Sequence, residues 1–447
     1  MVQWLWAGTT AAVATAAFYA FSRTRDPFHP AIILAPSMAF VYGIWPFLLN
    51  QGQELTQLFD EEKLAYVGTL YFCALLSFYA GLSRFPSRRV MRGLITLKGY
   101  QANPFNLNLS AVVRRRMLLI AMGLGLVALT AYAAMLYSVG GLIAAYSVAK
   151  GGGVAGSGYV GEAILLSFPA ILLLGLSRQG SGRIRLIDLF LALLIALPHL
   201  LQGTLGGRRG PLFLVLAVLF LAWVLARGKP PPLLSSLIGF GTIGFLVLLV
   251  ASQRQFLFLG SGGDFDISRL FDLFLTPEDL ITNDYVAGVS TVLVNDYHQD
   301  FSWGSEHLVN LLIRPIPRQL WPDKYEDAAD LLGYRVVEGG GEWDYFAEVL
   351  GFSPPKGSAV GFIANLYSSF SWGVLLAMFL FGWSLAVLWK RHRLRGGLWT
   401  VLYGQAMILS VYLPTQSFSA FYQRFLIMTA ISVLVFRFIG KTRPSRA

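Results

Sequence analysis

Long apolar runs alternate with short polar stretches along almost the whole chain. Each run covers roughly 17–22 residues, which is enough for a helix to cross a hydrocarbon layer of about 30 Å. The pattern predicts about eleven membrane helices, at 4–21, 31–49, 65–83, 117–138, 162–178, 186–202, 211–226, 233–251, 358–389, 398–414 and 419–439. The ninth segment is too long for one crossing, so we expect a short interfacial helix over 358–371 before the crossing itself.

Composition excludes the main alternative, a large soluble helical protein. Of the 447 residues, 55% are hydrophobic and 13% are charged, whereas soluble domains carry about 25% charged residues. Uncharged runs of this length would leave no polar face for water. We therefore predict an all-α polytopic membrane protein. The single cysteine, Cys73, excludes a disulfide framework within one chain. No basic segment precedes 4–21, which favours an uncleaved first helix.

The basic residues predict the orientation of the helices. Cytoplasmic connections of membrane proteins are enriched in Lys and Arg. The stretch 84–116 contains eight basic residues and no acid, so we place it in the cytoplasm. Counting crossings from there makes every inner segment basic, with the N-terminus outside and the C-terminus inside. This topology accounts for the net charge of +11 without a nucleic-acid partner and points to membrane lipids instead.

The predicted outer side is acidic and contains one large connection. It divides the chain into membrane helices 1–8 (1–251), a large extracytoplasmic loop (252–357), and membrane helices 9–11 with a cytoplasmic tail (358–447). The loop holds 17 of the 24 acidic residues. A connection of this length is usually functional. Within it, periodicity predicts short helices at 266–275, 277–296, 304–314 and 325–334.

A few basic residues on the predicted outer side break the positive-inside rule. They are Arg208, Arg209, Arg254, Arg314, Arg318, Lys324 and Arg335. A guanidinium offers a planar fork of donors that matches phosphate oxygens. At the depth of the lipid headgroups, such residues suit a lipid diphosphate. The alternative is that they pair with the loop's carboxylates or extend to the interface.

One segment of the loop resembles a known family. Residues 317–324 read Pro-Arg-Gln-Leu-Trp-Pro-Asp-Lys, which is similar to the Pro-Arg-x-x-Trp-Pro-x-Lys signature of the oligosaccharide repeat-unit polymerases, the O-antigen polymerase type. Residues 207–210, Gly-Arg-Arg-Gly, also resemble that family and the O-antigen ligases. Residues 366–373 resemble its Tyr-x-x-Phe-Gly-x-x-Gly region. There the chain departs from the family, because Asn365 and Leu366 replace a frequent carboxylate and Ser371 replaces a glycine.

The resemblance implies glycosyl transfer at the outer face of a bacterial cytoplasmic membrane. The donor would be an oligosaccharide on a polyprenyl diphosphate, and the acceptor would be the distal sugar of a second lipid-linked unit. Flippase and chain-length regulator proteins would be its partners. Cations near the departing diphosphate would lower the barrier. The candidates for diphosphate binding are Arg208, Arg209, Arg254, Arg314, Arg318 and Lys324.

Other residues are candidates for base catalysis and sugar binding. A hydroxyl nucleophile benefits from a base, and among the ionisable residues of the loop we favour His307 and Asp344. Glu162 and His199, near the outer ends of helices, are second choices. Trp321, Trp343 and Tyr367 offer flat faces that suit sugar rings, although aromatic residues equally suit a membrane interface. No metal-binding motif appears, so we predict no metal and no cofactor.

Three alternatives remain open at this stage. An O-antigen ligase would use the same donor with a different acceptor. A flippase for the same lipid-linked glycan would be expected to consist of two related halves, which the sequence does not display. An assembly partner without chemistry would need none of the outer arginines.

Overall fold

A computed structural model describes residues 2–51, 54–83, 104–107, 109–147, 158–179, 185–253, 283–313, 316, 320–332, 343–354 and 358–440. The regular structure in these ranges is helical, without strands, which confirms the all-α prediction. Up to residue 253 the helices are α1 (Val2–Thr24), α2 (Pro30–Ile33), α3 (Ala35–Ala39), α4 (Trp45–Leu49), α5 (Glu54–Leu58), α6 (Glu61–Leu82), α7 (Ala111–Ser138), α8 (Leu142–Tyr146), α9 (Gly158–Ala163), α10 (Ser167–Ser177), α11 (Leu186–Thr204), α12 (Arg209–Arg227) and α13 (Leu233–Gln253).

The rest of the chain adds a second group of helices. They are α14 (Asp284–His298), α15 (Ser305–Leu308), α16 (Lys324–Leu332), α17 (Trp343–Leu350), α18 (Phe362–Phe370), α19 (Val374–Arg395), α20 (Leu398–Tyr412) and α21 (Phe418–Gly440). Three of the four short helices predicted for the loop are present, as α14, as α15 with the π-helical turn Val309–Ile313, and as α16. The fourth, at 266–275, lies outside the described residues.

Six helical segments in the described part of the chain are long and apolar enough to cross a membrane. They are Glu61–Leu82, Ala111–Ser138, Leu186–Thr204, Arg209–Arg227, Phe362–Arg395 and Phe418–Ile439. All six coincide with predicted spans, and their length and composition support the prediction of a membrane protein. The other predicted spans also fall on helical segments, which are shorter or less apolar over the residues that the structure describes.

The ninth predicted span is divided in two, as its length indicated. Helix α18 ends at Phe370, and a 3₁₀ turn at Ser371–Gly373 leads into α19. Ser371 has a φ of +50°, a region that L residues seldom adopt. This conformation breaks the helix and lets α18 and α19 run in different directions.

The tightest helix contact joins α6 to α19 through two glycines. A Cβ atom on Gly382 would lie 2.1 Å from the Phe78 carbonyl oxygen, and one on Gly81 would lie 2.1 Å from the Phe379 carbonyl oxygen. Small residues of this kind let two helix backbones approach closely, which is how helices associate in membranes. The two helices pack in parallel, because Tyr66 lies against Trp372 near their first turns.

Polar contacts collect at two opposite ends of the helix bundle. At the Asp26 end, hydrogen bonds link Asp26 to Trp389, Thr400 to Pro104, Gln179 to Phe105 and Arg114 to Gln179. At the Arg209 end, polar contacts link Arg209 to Asp284, Tyr66 to Asp296 and His307 to Ser419. The starts of α6, α12 and α21 and the ends of α11 and α20 lie at the Arg209 end.

Helix α14 belongs to the predicted loop, yet it is a core element. Its residues from Tyr285 to Asn295 are all buried. Trp6 donates a hydrogen bond to the Tyr285 hydroxyl (3.1 Å), and a Cβ on Gly288 would lie 2.7 Å from the Val360 carbonyl oxygen. The sequence predicted a helix here, but the apolar stretch is too short to have indicated insertion between α1, α6 and α18.

The glycine contact between α6 and α19 generates the first prediction. Gly382→Ala should lower the melting temperature in detergent, because overpacking of this kind typically costs about 1–3 kcal/mol. The control is Gly123→Ala on α7, where an added Cβ meets nothing within 4 Å. There the substitution should be neutral or stabilising, since Ala favours the helix over Gly by about 1 kcal/mol. Equal melting temperatures for the two variants would contradict the close packing.

Candidate functional site

The turn between α11 and α12 places Arg208 and Arg209 at the Arg209 end. Gly207 adopts a φ of +58°, which lets the chain reverse within a few residues. Gly203 lies so close to Leu212 that a Cβ there would be 2.6 Å from the Leu212 Cβ. This close antiparallel packing fixes the start of α12, and therefore the position of both arginines.

Arg209 forms an ion pair with Asp284, the first residue of α14. The second carboxylate oxygen of Asp284 accepts a hydrogen bond from the Ala359 backbone amide (3.2 Å). The Arg209 side chain is 33% exposed and that of Asp284 is 21% exposed. The pair therefore joins α12, α14 and the chain before α18, and a third of the Arg209 side chain stays exposed.

Tyr412, at the end of α20, lies beside this ion pair. Its ring stacks on Phe213, with ring centroids 5.4 Å apart, and Gly210 leaves room for it. The Gln416 side chain donates a hydrogen bond to its hydroxyl (3.3 Å). The Tyr412 hydroxyl lies within electrostatic range of Arg209, Asp284 and Arg424. Arg209 and Arg424 therefore both act electrostatically on this hydroxyl.

Arg424 is the site residue that the sequence analysis missed. It lies near the start of α21, is half-buried, and is within electrostatic range of both Tyr412 and His199. The signal was present, because Arg424 is a basic residue near the outer end of a predicted membrane helix. Ionisable residues at such positions are usually functional. Together with Arg209, it defines the arginine cluster, which we take as Arg208, Arg209 and Arg424.

Arg208 is the third member of the arginine cluster. It occupies the N-cap position of α12 and is within electrostatic range of Tyr146. The Tyr146 hydroxyl in turn forms a hydrogen bond with the Tyr132 hydroxyl (2.8 Å). Arg208 and Arg209 thus lie on neighbouring sides of the helix start, each beside a tyrosine.

Hydroxyl and aromatic groups surround the His307 side chain. Its Nδ1 is 2.8 Å from the Ser419 Oγ and its Nε2 is 3.2 Å from the Ser369 Oγ, while Tyr422 donates to its backbone carbonyl. Ser419 precedes Arg424 by five residues, which corresponds to about 7.5 Å along α21. Of the two predicted base candidates, His307 is the one whose side chain the structure describes.

Burial lowers the pKa of His307 from its ordinary value of 6.5 to about 4. The ring is consequently neutral at physiological pH. A base works best when its pKa is near the working pH, so His307 in this environment is a weak proton acceptor and a good hydrogen-bond partner for hydroxyl groups. Its role as the base stays a prediction.

Glu306 lies beside Asn365, two residues before Tyr367. Both of its carboxylate oxygens lie 3.4 Å from the Asn365 side-chain nitrogen. Asn365 also accepts a hydrogen bond from the Phe418 backbone amide (3.0 Å). The departure from the family pattern at Asn365 is thus accompanied by an acid from a different part of the chain.

Three other predicted residues are engaged in contacts of their own. The Tyr367 ring is fully buried, and its hydroxyl donates to Asp296 (2.9 Å), so its faces are covered by protein. The buried Lys324 ammonium donates to the carbonyl oxygens of Ile313 (3.4 Å) and Ile316 (2.5 Å). The Trp321 indole donates to Asp327 (2.5 Å). None of these four contacts links its residue to the arginine cluster.

Five of the remaining predicted site residues fall where the structure gives no account of the side chain. Arg254, Arg314 and Arg318 lie outside the described residues, and for Trp343 and Asp344 only the helical backbone of α17 is described. His199 is buried against Phe168, with ring centroids 4.3 Å apart. Within the described ranges, no group of three or more His, Cys, Asp or Glu residues is placed to hold a metal ion.

No protein-family model, curated protein or solved structure matches this chain. The family resemblance of residues 317–324 therefore stays a prediction.

The buried ring of His307 generates the second prediction. Because its pKa is lower in the folded protein than in the unfolded chain, the unfolded state binds more protons below pH 6.5, and stability falls as the pH drops from 6.5 towards 4. His307→Gln, which keeps a hydrogen-bonding side chain without the titration, should therefore lose less stability between pH 7 and pH 5 than the wild type. Melting temperatures at the two pH values test this. Parallel losses in the two proteins would contradict a neutral buried ring.

Proposed function

We propose that the protein is a membrane-embedded polymerase that joins lipid-linked oligosaccharide units. It transfers a glycan from a polyprenyl-diphosphate carrier onto the distal sugar of another lipid-linked unit, at the outer face of the bacterial cytoplasmic membrane. The observation that carries the proposal is the arginine cluster beside Tyr412. The signature-like segment 317–324 supports it independently, from the sequence.

The directions of the packed helices support a topology of about eleven crossings. Helices that cross the membrane in the same direction in this topology, such as α6 and α19, pack in parallel. Helices that it runs in opposite ways, such as α12 and α20, pack antiparallel, with Gly210 against Tyr412 and Gly404 against Leu221. The described basic segments assigned to the cytoplasm gather at the Asp26 end. The Arg209 end is accordingly the extracytoplasmic face in this proposal, with the N-terminus outside and the C-terminus inside.

The chemistry of the donor explains why cations are needed at this face. As the bond between the sugar and the diphosphate breaks, negative charge grows on the leaving group. Donors that are already in place stabilise this charge, and one such donor can contribute about 3–4 kcal/mol to lowering the barrier. In the proposal Arg209 and Arg424 bind the diphosphate, Arg208 assists them, and Arg254, Arg314 and Arg318 are further candidates.

A ligase would use the same cations, so the product distinguishes the two enzymes. Loss of a polymerase leaves surface glycan of a single unit. Loss of a ligase leaves long glycan on its carrier lipid. The polymerase is preferred because the Pro-Arg-Gln-Leu-Trp-Pro-Asp-Lys segment resembles that family.

Arg424 provides the test of the proposed chemistry. Arg424→Ala should lower the rate at which purified protein extends lipid-linked units by about 10²–10³-fold, the usual loss for one charge-stabilising donor. Arg424→Lys should retain part of the activity, because an ammonium keeps the charge without the fork. The control is Arg437→Ala on the last turn of the same helix, far from the cluster. A gel ladder of products measures the rate. Wild-type ladders from Arg424→Ala would refute the proposed site.

Cysteine labelling tests the proposed orientation. In a Cys73→Ala background, Tyr297→Cys at the Arg209 end and Lys390→Cys at the Asp26 end are both exposed positions. A membrane-impermeant maleimide added to intact cells should label the first and reach the second only after the cells are opened. The reverse pattern would place the arginine cluster in the cytoplasm, where the proposed donor glycan is not presented.

A further inference from the structure

A second polar site lies at the other end of α14, around the Asp296 carboxylate. The hydroxyls of Tyr66 (3.0 Å) and Tyr367 (2.9 Å) both approach the same oxygen of Asp296, and they lie 2.9 Å from each other. Two phenols on one oxygen fix the orientation of the carboxylate. In the part of the chain that the structure describes, the other oxygen has no hydrogen-bond partner, and the Asp296 residue is half-exposed.

Aromatic side chains surround this carboxylate. Trp372 packs edge-to-face on Tyr66 (6.0 Å between ring centroids), and Phe301 packs on Tyr367 (5.7 Å) and on Trp303 (6.4 Å). Trp303 is 72% exposed, and Trp372 is 43% exposed. Rings that are anchored at one edge and open on a face, beside a fixed carboxylate, suit a sugar ring. Its C–H face packs on the aromatic ring, and its hydroxyls donate to the carboxylate.

The backbone that presents Trp303 is held in an unfavourable conformation. Trp303 has a φ of +46°, and Gln299 nearby has a φ of +52°. A bulky residue seldom adopts this region, and such residues persist where surrounding contacts impose them, often at ligand sites. Here the Trp303 amide donates to the Ser369 carbonyl (2.8 Å), and the Ser302 amide donates to the Ser368 carbonyl (3.1 Å). An exposed tryptophan held in this way is not explained by packing of the protein core.

We propose that Asp296, Trp303 and Trp372 form a glycan-binding site that takes a pyranose ring. The site is separate from the arginine cluster, because Asp296 follows Asp284 by twelve residues, about 18 Å along α14. Under the proposed function, on which this assignment of the ligand's origin rests, the site holds sugars several units away from the diphosphate. It selects the glycan and does not take part in bond breaking.

Saturation-transfer NMR on the full-length protein in detergent tests sugar binding directly. The probes are the methyl glycosides of glucose, galactose, mannose, rhamnose and N-acetylglucosamine. At least one should receive saturation from the wild-type protein, and Trp303→Ala should weaken its binding about tenfold, the range expected for one aromatic face. Trp303→Phe, which keeps a flat face, should restore most of the binding. Asp296→Asn should weaken the same probe.

Matched controls separate this proposal from the proposed function. Trp4→Ala removes an 82% exposed tryptophan at the same end of the bundle and should leave sugar binding unchanged. Arg424→Ala should also leave it unchanged, whatever its effect on chain extension. A Trp303-dependent signal without chain extension by the wild type would retain the sugar site and refute the polymerase. If none of the glycosides gives a signal that depends on Trp303, the sugar site alone is refuted.

In the chain-extension assay the two sites should differ in kinetics. Trp303→Ala should raise KM for the lipid-linked unit while kcat changes little, because it removes binding that is equal in the ground and transition states. Arg424→Ala should lower kcat. A fall in kcat for Trp303→Ala at unchanged KM would overturn the assignment of Trp303 to binding.

Discussion

The ion pair between Arg209 and Asp284 is the contact on which the arrangement of the Arg209 end depends. It connects the first residues of α12 and α14, and the Ala359 amide on the same carboxylate adds the chain that leads into α18. An acid in the first turn of a helix is also favoured by the helix dipole. Removing either partner would leave a partly buried charge without its counterpart. For fully buried pairs this costs about 3–5 kcal/mol, and partial exposure reduces the cost here. Arg209 is therefore held in place before any ligand arrives.

Helix α14 connects this ion pair to the polar contacts at its other end. Its buried middle fixes its position between α1, α6 and α18, so its two polar ends cannot move independently. Asp284 at one end positions Arg209, and Asp296 at the other end accepts hydrogen bonds from two tyrosine hydroxyls. The buried stretch Tyr285–Asn295 sets the spacing between these two carboxylates. Under the proposed function, a donor that binds with its diphosphate at one end and its sugars at the other would have to match this fixed spacing.

Much of this fold could be predicted from the sequence, because apolar period and length are properties of the individual segment. The break at Ser371 followed from a segment too long for one crossing. The burial of α14 could not be predicted in the same way. Its apolar stretch is only about ten residues long, between acidic neighbours, and nothing in that pattern separates a loop helix from one enclosed by distant helices.

The residues of the candidate site, too, could be predicted from the sequence only in part. Arg208 and Arg209 were predicted because they lie on the predicted outer side, where the positive-inside rule expects few basic residues. Arg424 was missed because it lies inside an apolar run that was counted as a membrane helix, although a charge there is itself a signal. Tyr367 and Lys324 were predicted from the chemistry of their side chains. In the structure the Tyr367 ring is covered by protein, and the Lys324 ammonium donates to backbone carbonyl oxygens. The sequence pattern does not show such partners, whether they lie 71 residues away, as Asp296 does, or 8 and 11 residues away, as Ile316 and Ile313 do.

The geometry of a guanidinium reconciles the structural and the proposed chemical roles of Arg209. A guanidinium has five N–H donors, and the contact between its Nη2 and Asp284 uses one edge of that fork. A third of the side chain remains exposed, and under the proposed function a further donor of the fork would bind a phosphate oxygen while Asp284 keeps its place. Lysine would lack this capacity, because a single ammonium centre cannot present two separate planar edges. The ion pair that orders the Arg209 end is thus compatible with the proposed anion binding at the same residue.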